Sequence, residues 1–235
     1  MTESERIRAS YEQRRANATV DPYDFRRADV FMTIHERQRA IVRAFGRLEL
    51  PPVADVKLLE VGAGAGGNLL EFLRMGFSPE NLVGIELLDE RAARARHRLP
   101  GSLDLRCEDA CQAHVDEESQ DIVFQSVVFS SILDRDVQSR LAANMWRWVK
   151  PGGFILWYDF VFDNPGNKDV RGVPRRRVTE LFPDGRCHCQ RVTLAPPIAR
   201  RVARWHPGLY PLLNIIPMLR THILCTISKP RARDR

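Results

Sequence analysis

The stretch KLLEVGAGAGGNLLEFLR (residues 57–74) decides the fold. KLLEV (57–61) is a short apolar run bounded by turn signals, the pattern of a buried strand. GAGAGG (62–67) is a glycine-rich turn, and a helix follows through residues 69–74. Glycines at such a turn let the backbone approach a ligand, and the helix N-terminus beyond favours an anionic group. The string fits G-x-G-x-x-G, so a dinucleotide site is one reading of it.

Outward from this unit, strands and helices alternate. NLVGIE (81–86), residues 103–106, DIVFQS (121–126) and FILWYDF (154–160) read as further strands, with helices over 89–98 and 136–149. Regular alternation implies a parallel sheet covered by helices on both faces. A short helix (175–182) and two more strand-like segments (187–194 and 222–227) follow, separated by a proline-containing stretch that reads as helical. They imply an antiparallel finish. Upstream, Phe31, Ile34, Ile41, Val42 and Phe45 recur at helical spacing within an amphipathic helix over 27–45, stopped near Gly46. Residues 1–17 are charged and poor in apolar groups, and read as a frayed or induced helix. The expectation is an α/β fold: a Rossmann-like, doubly wound, seven-stranded sheet, mostly parallel with an antiparallel last strand, plus an N-terminal helical segment. Residues 1–50 form a helical lid segment and 51–235 the ligand-binding domain, with 195–220 a helical insertion over its rim.

Composition narrows the class. The chain has 235 residues, 44% hydrophobic and 28% charged, enough apolar surface to exclude disorder throughout. The longest apolar stretch, LYPLLNIIPML (209–219), is too short to span a bilayer and carries two prolines. The net charge of +6 comes mostly from scattered arginines and is compatible with several anionic partners. Five cysteines without framework spacing, and a polar start, imply a reducing, cytoplasmic setting.

Three features turn the glycine motif away from a dinucleotide. Glu60 stands two residues before Gly62, where a carboxylate would face a pyrophosphate but suits a ligand bearing an ammonium group. Glu86 closes the second strand, where acids read ribose hydroxyls, a reader that fits both ligands. A helix-forming segment also precedes the first strand.

LLEVGAGAGG, GIELLDE, CEDA, DIVFQSVVFSSI and WVKPGGFILWYDF, in that order, resemble the class I methyltransferases that use S-adenosylmethionine. WYDFVFDNPGNKDVRG (157–172) and LLNIIPMLRTHIL (212–224) also resemble a bacterial subset encoded among polysaccharide-assembly enzymes. The resemblance implies roles for particular residues. Glu60, with the backbone of Gly62, Ala63, Gly64 and Gly66, would hold the methionine end of the cofactor. Glu86 would accept from the ribose hydroxyls, and Leu87 would pack beside the adenine. Asp109 would accept from the adenine amino group, with the Ala110 amide meeting the ring. Gln125 and Ser126 would floor the site near the sulfonium.

Ligands of open α/β sheets bind outside the carboxyl ends of the parallel strands. An antiparallel seventh strand begins on that same rim, which brings in Thr221 and His222. An alcohol acceptor needs a general base. Asp159, ending the fifth strand, is the first candidate and His222 the second; His35 and His206 read as surface and turn residues. Asn164, Asn167 and Arg171 are candidates for reading sugar hydroxyls or a phosphate, against ordinary turn chemistry. No metal is expected at Cys187-His188-Cys189, because alternate residues of a strand point to opposite faces and no second pair stands at zinc spacing. Ser126-Val127-Val128-Phe129 lacks the D/N-P-P-Y/F/W motif of amino-methylating nucleic-acid enzymes, so no nucleic-acid partner is expected.

The activity expected is methyl transfer to oxygen on a sugar, a lipid-linked saccharide or another small polar metabolite. Nitrogen transfer, a non-catalytic protein and a nicotinamide-binding protein are the alternatives. Residues 209–219, flanked by Arg200, Arg201, Arg204 and Arg220, are compatible with peripheral contact on an anionic membrane, or with a lid on the domain's own rim.

Overall fold

The chain is described by a computed structural model over residues 1–17, 24–206 and 208–231. Parts of three expected segments, 18–23 within 1–50, 207 within 195–220 and 232–235 within 51–235, lie outside the described residues. Seven strands form one sheet: β1 Leu58–Val61, β2 Leu82–Glu86, β3 Asp104–Cys107, β4 Gln120–Ser126, β5 Val149–Phe160, β6 Arg186–Leu194 and β7 Arg220–Ser228. Their order is β3-β2-β1-β4-β5-β7-β6. β1 to β5 run parallel, and β7 runs antiparallel to both β5 and β6. The strand order reverses at β1, which lies between β2 and β4. That is the switch point where an open α/β sheet leaves a crevice.

The helices are α1 Glu3–Asn17, α2 Ala28–Phe45, α3 Gly67–Arg74, α4 Asp89–Arg96, α5 Arg135–Trp148, α6 Arg175–Leu181, α7 Pro196–Trp205 and α8 Leu209–Leu213. Successive strand residues feed two cores. Leu58, Ile122, Phe124, Phe154, Leu156 and Leu224 pack with α2 and α3. Leu59, Val123, Ile155, Trp157 and Ile223 pack with α5 and Val178 of α6. Both faces are covered, which is why the parallel strands read as continuous apolar runs.

Three sequence expectations need correction. β5 starts at Val149, not at 154, because the chain around the KPGG turn is already paired: Gly152 donates to Lys229 O and Lys229 to Gly153 O. Residues 3–17 form the expected helix, and of the two readings, frayed or induced, it is the frayed one that needs correction. Their side chains dock on the body: Ser4 Oγ donates to Asp109, Arg6 to the Ser131 carbonyl, and Ser10 Oγ to Asp169. The cysteines are not independent, since Cys189 and Cys225 form a disulfide across β6 and β7. With Cys187, their sulfurs lie within 4.8 Å of one another, but the disulfide leaves Cys187 as the one free thiol of the three. Cys187 and Cys189 are two residues apart and share a face, and strand pairing brings the third sulfur from 36 residues away. Among the described residues no helix is long and apolar enough to cross a membrane.

Candidate active site

The crevice opens at the carboxyl ends of β1, β2 and β4. Gly62, Glu86, Leu87, Asp109, Ala110 and Ser126 line it, together with Val128, Ile132 and Leu141. Gly62 and Gly64 have φ values of 72° and 58°, the left-handed region in which glycine carries no steric penalty. A Cβ on Gly62 would come within 2.4 Å of the Val128 side chain, so the turn presses against the crevice wall with no room to spare. Glu86 shapes the turn directly. Its Oε2 accepts from Gly64 N at 2.6 Å and its Oε1 from Leu88 N at 2.9 Å.

Glu60 faces the α2–α3 side of the sheet and is fully buried. Asn68 Nδ2 donates to its Oε1 at 2.5 Å, while Oε2 is buried without a partner. Burial pushes this carboxyl up to about 8, against the Asn68 hydrogen bond and the charges of Arg37 and Arg91. A buried acceptor left without a donor is destabilising. An orphaned carboxylate oxygen beside the glycine turn is an acceptor that an incoming ammonium satisfies by donating to it, so the residues present fit the amino-acid end of S-adenosylmethionine.

Sequence reasoning missed Arg37. From α2 its Nη1 donates to Ser126 Oγ at 3.1 Å and its Nη2 to Asn68 Oδ1 at 2.5 Å. Its signal is visible in hindsight: three residues after Ile34 and four before Ile41, it puts a cation on the apolar stripe of the helix. Ser4, Ile7 and Tyr11 of α1 also line the crevice. The Arg91 guanidinium lies over the Tyr11 ring.

Toward the neighbouring strands a polar cluster continues on the Glu60 face. The Arg37 guanidinium lies 5.2 Å from the Tyr158 ring centre, and the His222 ring stacks on the same tyrosine at 5.0 Å. Tyr158 Oη shares a 2.9 Å hydrogen bond with Thr193 Oγ1, and Thr193 donates to Glu36. Burial, aided by the Arg37 charge, pushes His222 down to about 4, so the imidazole is neutral at neutral pH. Its Nδ1 pairs with Thr221 Oγ1.

Asp159 does not join this cluster. It is one residue beyond Tyr158 and points to the opposite sheet face, fully buried. Its oxygens accept from Ser130 N and Phe160 N, and burial raises it to about 7. Its expected place on the open rim is therefore corrected. Gln125 is also fully buried, bridging the Tyr158 carbonyl and Val128 N. Asn164 and Asn167 side chains accept from Gly166 N and Asp169 N, within turns, and Arg171 is exposed. None of the three lines the crevice. His206 accepts from Gly208 N in a turn.

Residues 59–157 match the family model described as a methyltransferase domain. Phosphoethanolamine N-methyltransferase 3 of Arabidopsis thaliana is 24% identical over 66% of this chain and 31% of its own. Phthiotriol/phenolphthiotriol dimycocerosates methyltransferase 1 of Mycobacterium ulcerans is 30% identical over 53% of this chain and 46% of its own. The chain thus spans under half of the length of these curated relatives. Among solved structures, geranyl diphosphate C-methyltransferase of Streptomyces coelicolor, in complex with S-adenosyl-L-homocysteine, superposes with a TM-score of 0.66 at 13% identity, covering 99% of this chain and 98% of that one. With the strand order, the glycine turn and the orphaned Glu60 oxygen in hand, residues 59–157 are similar to a methyltransferase domain, and the sheet has the Rossmann-like fold of S-adenosylmethionine-dependent methyltransferases.

Proposed function

We propose that this protein transfers a methyl group from S-adenosylmethionine to an oxygen of a sugar or another small polar metabolite. The observation that carries the cofactor half is the buried, partnerless Glu60 Oε2 next to the glycine turn. In this reading Glu60 holds the cofactor's ammonium and Glu86 its ribose hydroxyls. Leu87 and the Ala110 amide flank the adenine, Asp109 accepts from its amino group, and Ser126 and Gln125 form the floor. When bound, the cofactor supplies a methyl on a cationic sulfur, whose departure makes displacement easy once the acceptor is aligned.

The chain's own residues then align the acceptor and take up its proton. His222 shares the sheet face of Glu60, is neutral, and keeps one ring nitrogen for the proton of an acceptor hydroxyl. We assign the base to His222 and to Asp159 a positioning role, holding the amides of Ser130 and Phe160 under the rim. Arg171 and the side-chain amide nitrogens of Asn164 and Asn167 read the acceptor's polar groups, and α1 with the rest of residues 1–50 acts as the lid. A cytoplasmic role in polysaccharide assembly belongs to the same reading and rests on the likeness of residues 157–172 and 212–224.

Nitrogen as the acceptor atom is the second reading, favoured by the match to a phosphoethanolamine N-methyltransferase. Calorimetric titration with S-adenosylhomocysteine and with NADH tests the cofactor. Tight NADH binding without an S-adenosylhomocysteine signal overturns the proposal. Transfer of radiolabelled methyl to a panel of glycans and amines then identifies the acceptor atom.

A further inference from the structure

Residues 195–220 contain four arginines and no carboxylate. Within α7 the inward side chains are Ile198, Ala199 and Val202, which pack with Leu194 and Tyr210. That contact uses up the inner apolar face. The outer face still carries Trp205, 83% exposed, and one turn earlier Arg201. Beyond α8, Ile215 is 68% and Met218 84% exposed, with Leu212 beside them. Arg200 and Arg204 are exposed too, and no described carboxylate lies within ion-pair distance of Arg200, Arg201 or Arg204.

Lone exposed apolar residues are ordinary, but large ones gathered within one short segment mark an interaction surface. A tryptophan among unpaired arginines suits a boundary between water and lipid. The ring seats at headgroup depth, the aliphatic stems of arginine lie along apolar surface, and their charges meet phosphate. The charge selects the occupant: a surface with no acid in 26 consecutive residues complements an anionic bilayer.

We infer that the α7–α8 surface docks on an anionic phospholipid membrane, through Trp205, Ile215 and Met218 inserted between headgroups and Arg200, Arg201 and Arg204 on phosphates. Docking by this face brings the polar cluster to the lipid boundary. Tyr210 of α8 shares a 3.4 Å contact with Thr33 of α2, and β7 enters the sheet at Arg220, two residues before His222. The membrane contact stands independently of the methyl-transfer reading. Its consequence, an acceptor presented at a bilayer surface, rests on that reading.

Co-sedimentation of the full chain with vesicles tests the inference. Vesicles of phosphatidylcholine mixed with phosphatidylglycerol pellet the protein at low salt, and added salt releases it. Trp205→Ser combined with Met218→Ser abolishes pelleting, and Arg204→Gln weakens it roughly fivefold. Thermal midpoints and S-adenosylhomocysteine affinity stay unchanged in these variants, because the substituted residues lie outside the crevice. No pelleting with either vesicle overturns the inference. So does equal, salt-insensitive binding to phosphatidylcholine alone, or a wild-type dimer that Trp205→Ser converts to monomer, which makes a second copy the occupant. Vesicle binding without S-adenosylhomocysteine binding sinks the methyltransferase reading and leaves the docking surface standing.

Discussion

Arg37 Nη1 lies 3.1 Å from Ser126 Oγ, so a helix that precedes the nucleotide-binding unit in sequence delivers a cation to the floor of its crevice. The same guanidinium bonds Asn68, the residue that donates to Glu60. Arg37, Asn68 and Glu60 therefore form one chain of charge-assisted contacts beside the glycine turn, at the end of the site proposed for the cofactor's methionine. Replacing Arg37 by Gln removes the charge and one geometry-fixing fork. S-adenosylhomocysteine affinity, measured by calorimetry, falls roughly tenfold or more, the worth of a hydrogen bond to a charged group. Wild-type affinity in the variant removes Arg37 from the site.

Glu60 makes the free protein sensitive to alkali. Its folded value is raised to about 8 from 4.5 by burial. A raised acid contributes stability that is fully present below the unfolded value and is lost as pH rises through the folded one. Asp159, raised to about 7 from 3.8, acts with the same sign over an overlapping window. The thermal midpoint of the free protein therefore declines as pH rises from 4.5 to about 8. Glu60→Gln flattens that decline and weakens cofactor binding roughly 10- to 100-fold. Ligand binding at neutral pH releases a proton from Glu60, so its calorimetric enthalpy depends on the buffer's ionisation enthalpy. An unchanged stability profile in the Gln variant would contradict the burial argument.

His222 and Asp159 separate chemistry from scaffold. His222→Gln lowers turnover on a hydroxyl acceptor about 100- to 10,000-fold, the usual worth of a general base, with cofactor affinity kept. Turnover that survives this change points to a nitrogen acceptor, which needs no base of this kind. The histidine's lowered value has its own signature. A depressed base contributes stability present above its unfolded value and lost as pH falls through the folded one, here from 6.5 down to about 4. Asp159→Asn keeps turnover within about tenfold and changes chiefly the pH dependence of stability near neutrality, since its partners are backbone amides. A loss of turnover as large as that of His222→Gln would return Asp159 to the base role.

What the sequence made legible follows from where the physics is local. Buried parallel strands are apolar on both faces, so LLEV, LVGIE and FILWYDF announce themselves, and glycines 62, 64 and 66 mark a turn that requires positive φ. Arg37 was hidden because its meaning depends on which helix face lies against β4, a tertiary fact. Asp159 was misplaced by the same logic: strand alternation puts it on one face and Tyr158 on the other, and only the sheet order says which face holds Glu60. Cys189 and Cys225 are 36 residues apart, and no spacing rule joins them until β6 pairs with β7.

The disulfide gives a direct count. Purified without reductant and denatured, the chain shows three reactive thiols, Cys107, Cys111 and Cys187. Reduction lowers stability by about 2–4 kcal/mol, because the cross-link restricts the unfolded chain. Cys225→Ser removes that reductant effect. Five reactive thiols in the unreduced protein would show the pair to be open.

α1 is tied to the crevice by polar contacts more than by burial. Ser4 meets Asp109, Arg6 meets the Ser131 carbonyl and Glu3 accepts from Leu133 N, while Ile7 is its chief apolar contact. A helix held this way opens locally at low cost. The hydrogen bond from Arg6 lowers the Glu3 carboxyl, helped by Leu133 N, so the docking weakens as pH falls through its depressed value. Ser4, Ile7 and Tyr11 stand where a ligand in the crevice touches them. Bound S-adenosylhomocysteine therefore slows amide hydrogen exchange in residues 3–17 well beyond its effect on α6, none of whose residues lines the crevice. Tyr11→Ala speeds exchange in α1 and weakens binding roughly tenfold. Exchange in α1 that is the same with and without ligand would mean that the helix covers the crevice without sensing its contents.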